Sequence, residues 1–134
     1  MSMKISHLGI AVKSLDEAIK IYSDALGLKV GEIHRAPESG MNAAMIEVGE
    51  SHLELIEPVG TEGTIAKFIE SRGEGIHHVC LEVENIDKTL AELNAKGVRL
   101  IDKVPRQGIE GRVAFIHPKS MNGVLVELVE KPKQ

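Results

Sequence analysis

The sequence repeats itself. SHLGIAVKSLDEAIKIYSDALGLKV at 6–30 and HHVCLEVENIDKTLAELNAKGVRL at 77–100 follow one plan. In each, a histidine opens a short apolar run: His7-Leu-Gly-Ile-Ala-Val12, and His78-Val-Cys-Leu-Glu-Val83. An aspartate, Asp16 or Asp87, follows four residues after the closing valine, inside an amphipathic helical pattern. Ser14 and Asn85 occupy N-cap positions, and Glu17 completes a capping box in the first copy. Leu15, Ala18, Ile19, Tyr22 and Leu26 recur at helical spacing, as do Ile86, Leu90 and Leu93. Gly27 and Gly97 end the two helices. A repeat of half the chain means that the fold is built from two copies of one unit.

The copies continue in step. AAMIEVGESHLELIE at 43–57 reads as two strands joined by a Gly-Glu turn. RVAFIHPKSMNGVLVELVE at 112–130 reads as two strands with a longer turn from Pro118 to Gly123. KVGEIHRAPESG supplies the second strand of copy one, and VRLIDKVP is its weaker counterpart. Each half is therefore β-α-β-β-β. The expected fold class is α+β: one domain over 1–134, made of modules at about 1–57 and 76–130. A linker at 58–75 joins them, with a short helical pattern from Thr64 to Ser71.

Composition bounds the function. The 134 residues carry a formal net charge of −4. The short C-terminal KPKQ is the notable basic cluster, which argues against nucleic acid as the main partner. A single cysteine, Cys80, excludes an intramolecular disulfide. No stretch is long enough to span a membrane, and the start shows no cleavage signature, so a cytoplasmic location is expected. Aromatic residues are nearly absent (Phe68, Phe115, Tyr22), so a ligand pocket must rely on aliphatic, polar or metal contacts.

Strand parity separates the adjacent histidines of GIHHVCLEV, because successive side chains point to opposite faces. His7, Gly9 and Ala11 share one face, and His78, Cys80 and Glu82 share its equivalent. Leu8, Ile10 and Val12, like His77, Val79, Leu81 and Val83, lie on the helix side. His78 is thus the counterpart of His7, and His77 is a flanking residue near the helix layer. The same test sets Glu54 opposite Leu53 and Leu55, and Glu127 opposite Val124, Val126 and Leu128. A lone strand histidine or strand-end glutamate is more often packing or a solvated charge than a ligand. The doubled spacing, 47 residues from His7 to Glu54 and 49 from His78 to Glu127, makes coincidence the weaker reading. Two imidazoles and two carboxylates suit Zn²⁺, Co²⁺, Ni²⁺ or Mn²⁺ and would cage Ca²⁺ poorly.

SHLGIAV…DEAIKIYSDALGL, HLELIEP, GIHHVCLEV and HPKSMNGVLVEL together resemble the vicinal oxygen chelate (glyoxalase/bleomycin resistance) superfamily over essentially the whole chain. Within it they most resemble the methylmalonyl-CoA epimerase family. His117-Pro118-Lys119 stands where glyoxalase I enzymes usually have a DPDG-type turn, and TEGTIAKFIESRGEGIHH resembles the epimerase linker. The resemblance implies two βαβββ modules forming a curved mixed sheet around a central cleft with one divalent metal ion. It carries the ligands to His7, Glu54, His78 and Glu127, and implies an acyl-CoA substrate and a homodimer. The implied reaction is epimerisation of (R)- and (S)-methylmalonyl-CoA by metal-assisted proton transfer at C2 through an enediolate. A two-sided proton exchange needs two bases, and Glu54 and Glu127 fill those roles. Glu47 is a possible second base, although a solvated charge is its commoner fate. Two other readings are a glyoxalase I-type lactoylglutathione lyase and a non-catalytic small-molecule-binding relative.

The remaining candidates are weaker. His117 and Lys119 are candidate substrate contacts, with turn stabilisation an equal alternative for His117. Lys119, Arg106 and Arg112 are candidates for coenzyme A phosphates, with surface ion pairs the commoner fate of such side chains. Cys80 reads as a small packing residue, and His34 and His52 as surface or strand residues. GEG at 73–75 is a loop and no phosphate cradle, because no helix follows it.

Overall fold

The computed structural model describes residues 3–133; Met1, Ser2 and Gln134, the outer ends of the expected domain, lie outside the described residues. The elements run β1 (Lys4–Ala11), α1 (Leu15–Lys20), β2 (Lys29–Ala36), β3 (Met41–Val48), β4 (Ser51–Pro58) and α2 (Thr64–Arg72). They continue with β5 (Gly75–Glu82), α3 (Ile86–Ala95), β6 (Arg106–Gln107), β7 (Arg112–Ile116) and β8 (Val126–Glu130). The βαβββ order appears twice, in an α+β fold. Among the described residues no helix is long and apolar enough to cross a membrane. The chain forms two compact units: His7–His77, and the described residues before His7 together with those from His78 onward.

In the unit His7–His77 the strand order is β2-β3-β4-β1. β1 runs parallel to β4, and the β2–β3 and β3–β4 pairs are antiparallel. Burial of Val12, Leu15, Ala18, Ala44, Ile46 and Leu55 seats α1 on one face. The Ser14 hydroxyl accepts the Glu17 N–H at 3.3 Å, as the capping pattern requires. From Ile21 to Ala25 the helix widens into a π turn, in which Leu26 N–H reaches the Ile21 carbonyl at 3.4 Å. The extra residue in that turn rotates the side chains beyond it about the helix axis. Leu26, expected in the apolar stripe, is therefore 63% exposed, and Leu28 packs on the core in its stead. Gly27 then reverses the chain at φ 72°. On the other face α2 packs Ile65, Phe68 and Ile69 against Ala11 and Ile56.

The second unit orders its strands β5-β8-β7-β6, with β5 parallel to β8 and the others antiparallel. Its core is Val83, Ile86, Leu90, Ala114, Ile116, Val126 and Leu128. Asn85 Oδ1 accepts the Lys88 N–H at 3.0 Å and starts α3. VRLIDKVP, expected as a strand, contributes an isolated bridge from Leu100 to Ile116, and β6 is a two-residue strand beyond it. The cause is local. The Asp102 carboxylate takes the Phe115 N–H at 2.8 Å, a ladder position, and Pro105 has no N–H to offer. Val124, expected to pack with Val126 and Leu128, is 46% exposed and precedes β8. The turn claims it through Asn122 and Gly123, both at positive φ.

Both units share one further device. Glu57 Oε2 accepts the Leu15 N–H, and Glu130 Oε1 accepts the Ile86 N–H, each at 2.8 Å. Each carboxylate at the end of a last strand satisfies an orphan donor at the positive end of a helix. Glu57→Ala and Glu130→Ala should each cost about 1.5–3 kcal/mol, the range for hydrogen bonds to charged groups, as measured by urea unfolding. A loss under about 0.5 kcal/mol would show the contact to be incidental.

Candidate functional site

Register builds the site. β1–β4 pairing sets Gly9 opposite Glu54, and β5–β8 pairing sets Cys80 opposite Glu127. Gly9 lies two residues after His7, and Cys80 two after His78, so each histidine shares a face with its glutamate on the neighbouring strand. The small residue opposite each glutamate leaves its carboxylate room to turn toward the imidazole. His7 Nε2 lies 3.4 Å from Glu54 Oε1, with side-chain exposures of 6% and 12%. His78 Nε2 lies 3.2 Å from Glu127 Oε1, with exposures of 5% and 12%. The same nearly dry imidazole–carboxylate pair is thus built twice, at matching register.

A carboxylate is costly to bury unless it is paired or coordinating. One nitrogen and one oxygen donor, both buried and both close, fit half of a divalent transition-metal coordination sphere. Each unit offers one such half.

The adjacent histidines separate as parity requires. His78 is buried, and its ring meets Phe115 edge-on at 6.0 Å. His77 is half-buried and meets Phe68 of α2 edge-on at 5.0 Å, so the helix that it flanks is the linker helix. Cys80 is fully buried against Val113 and Val129. Phe115 lies opposite Glu127 in the β7–β8 register, which brings one of the chain's two phenylalanines to the pair.

Glu47 shares the Glu54 face through its pairing with His52, yet it is exposed, with Lys29 Nζ at 3.7 Å. His52 is half-buried between His7 and Glu47 in register, and its Nδ1 has no hydrogen-bond partner among the described residues. His34 sits beside Glu32 at 2.9 Å near the surface. The His117 ring caps the turn Pro118–Ser120, with Nδ1 accepting the Lys119 N–H at 3.0 Å. Desolvation, and then the nearby charges of Arg99 and Lys119, hold its pKa below the ordinary histidine value. That favours the neutral ring which such an acceptor requires. The Lys119 side chain is exposed. Sequence reasoning overlooked Glu57 and Glu130, although each follows its paired glutamate by three residues.

Arg112 has a structural occupation. Its guanidinium forks onto Asp87 at 2.8 and 3.0 Å. That hydrogen bond lowers the Asp87 pKa and raises that of Arg112. A depressed carboxyl pKa contributes stability above the unfolded value, which is lost as pH falls through the folded one. The midpoint difference between the wild type and Arg112→Ala should therefore be small at pH 7, since the pair is exposed, and should shrink as the pH is taken down into acid. A difference that grows with acid would reverse the assignment.

A family model described as the Glyoxalase/Bleomycin resistance protein/Dioxygenase superfamily matches residues 6–115. A mitochondrial methylmalonyl-CoA epimerase of Dictyostelium discoideum is 40% identical over 130 residues, 96% of this chain and 78% of its own. The crystal structure of a methylmalonyl-CoA epimerase from Mycobacterium tuberculosis, 36% identical, matches 96% of this chain and 88% of its own with a TM-score of 0.90. A methylmalonyl-CoA epimerase solved in complex with methylmalonyl-CoA and NH4+, 34% identical, matches 98% of this chain and 96% of its own with a TM-score of 0.91.

Proposed function

Since this chain belongs to the glyoxalase/bleomycin resistance protein/dioxygenase superfamily, and within it to the methylmalonyl-CoA epimerases, we propose that it interconverts (R)- and (S)-methylmalonyl-CoA. The observation that carries the reading is the twice-built pair of a buried imidazole and a carboxylate. His7, Glu54, His78 and Glu127 are assigned as the ligands of one divalent ion per chain, Co²⁺, Zn²⁺, Ni²⁺ or Mn²⁺. Such an ion supplies Lewis acidity to the oxygens flanking C2.

The chain's own residues move the proton. C2 lies between a thioester and a carboxylate, and epimerisation takes its proton from one face and returns one to the other. Two carriers meet that demand, and Glu54 and Glu127 are assigned to them. At 12% exposure each, both carboxylates are largely shielded from water at the place where they would exchange the proton. His117 and Lys119 are assigned to substrate contact at their turn. In this reading the two modules work as one domain, and the protein is a cytoplasmic homodimer whose partner covers edge strands.

The test is an assay with each epimer of methylmalonyl-CoA in D₂O, beside one with methylglyoxal and glutathione. Deuterium at C2 of the opposite epimer is expected. Lactoylglutathione formation in its place would assign the glyoxalase reaction, and no turnover with any of the four metals would leave a non-catalytic binding protein.

A further inference from the structure

Three basic side chains in the second half of the chain, Arg106, Arg112 and Lys119, are candidates for an anionic substrate, and the structure sorts them. Arg112 is forked onto Asp87. Lys119 stands exposed on the turn after His117. Arg106 alone of the three lies on the face that carries His78 and Glu127. β6–β7 pairing sets Arg106 opposite Val113, which is buried with Cys80 and Val129, and β7–β8 pairing sets Phe115 opposite Glu127. Alternation along β7 then puts Val113 and Phe115 on one face.

The side chain is prepared. Its guanidinium carbon lies 5.5 Å from the Phe115 ring centroid, and that ring in turn meets the His78 ring edge-on at 6.0 Å. Arg106 Nε faces Asp102 Oδ1 at 3.4 Å, and the Asp102 carboxylate is itself fixed by the Phe115 N–H at 2.8 Å. Among the described residues the two terminal nitrogens have no hydrogen-bond partner, and the side chain is 59% exposed. Stacking and the Nε contact hold the plane still, while the fork that suits phosphate stays open to solvent. This arginine stands one aromatic ring away from the proposed reacting end.

We propose that Arg106 is the phosphate-anchoring residue for the coenzyme A portion of the substrate, seated on Phe115 and oriented by Asp102. The assignment rests on the epimerase reading above. The malonyl carboxylate is already committed to the metal-ligand end in that reading, which leaves the phosphates as the anions for a solvent-facing fork.

The experiment compares methylmalonyl-CoA with methylmalonyl-pantetheine, which keeps the thioester and carboxylate and lacks the phosphates. Arg106→Ala should raise KM for methylmalonyl-CoA about tenfold, with the loss falling on KM rather than kcat. The rise of KM with ionic strength seen in the wild type should flatten in the variant. Arg106→Lys, which keeps the charge and loses the fork, should fall between the two. With methylmalonyl-pantetheine, wild type and Arg106→Ala should give the same kcat/KM, and Arg112→Ala should match the wild type with both substrates. Equal losses on both thioesters would move Arg106 to the carboxylate and overturn the proposal. An unchanged KM for methylmalonyl-CoA would overturn it too. If the wild type turns over neither thioester, the epimerase reading itself has failed, and Arg106 with it.

Discussion

Glu127→Gln should lower the epimerisation rate by about a hundredfold to ten-thousandfold, the usual cost of removing a general base. The substitution keeps the shape and one oxygen of a side chain lying 3.2 Å from His78 Nε2, and removes its ability to take a proton. It also removes a negative charge from the proposed ligand set, so metal content must be measured on the same sample. A rate loss larger than the metal loss identifies the base. Glu54→Gln should behave alike, because the register on Gly9 and Cys80 makes the two carboxylates equivalents. Glu47→Gln is the contrast. Its side chain is 46% exposed with Lys29 at 3.7 Å, an arrangement of a solvated surface pair, and the rate should stay within about twofold. If Glu47→Gln cripples the enzyme while metal-loaded Glu127→Gln stays active, the assignment of bases is reversed.

The second large effect concerns metal retention. His78→Ala should empty the site, while His77→Ala should leave metal content nearly intact, as read by elemental analysis of purified protein. One alternation along β5 separates them: the His78 ring meets Glu127 and Phe115, and the His77 ring meets Phe68. Losing one of the four proposed ligands removes both a donor and the partner of a buried carboxylate. Losing His77 removes an edge-on ring contact at a half-buried position. Equal metal loss in both variants would mean that strand parity does not govern which histidine serves the site.

Legibility followed the kind of signal. Elements whose pattern is periodic and capped, such as α3 behind Asn85 or the β3–β4 hairpin around Gly49, could be placed from the residues alone, because their determinants are local. The departures arose where a backbone irregularity or a contact with a residue elsewhere in the chain overrode the local pattern. VRLIDKVP has the apolar residues of a strand, but Asp102 spends its carboxylate on the Phe115 backbone and Pro105 withholds a donor. Leu26 keeps helical spacing in the sequence, yet the π turn at Ile21–Ala25 rotates it into solvent. Arg112, which composition offers to a phosphate, is taken by Asp87.

The repeat, the two βαβββ modules and the separation of His78 from His77 were determined by the sequence itself, since a period of two along a strand and a doubled spacing need no tertiary information. Tertiary structure decided what no one-dimensional pattern encodes. Pairing of β1 with β4 and of β5 with β8 put a glutamate beside each imidazole, at 3.4 and 3.2 Å. It also turned Glu57 and Glu130 back onto the starts of α1 and α3, and it laid Arg106 on Phe115. The reason is that register joins residues tens of positions apart, so which side chains meet is set by how strands pair and not by how they succeed one another along the chain.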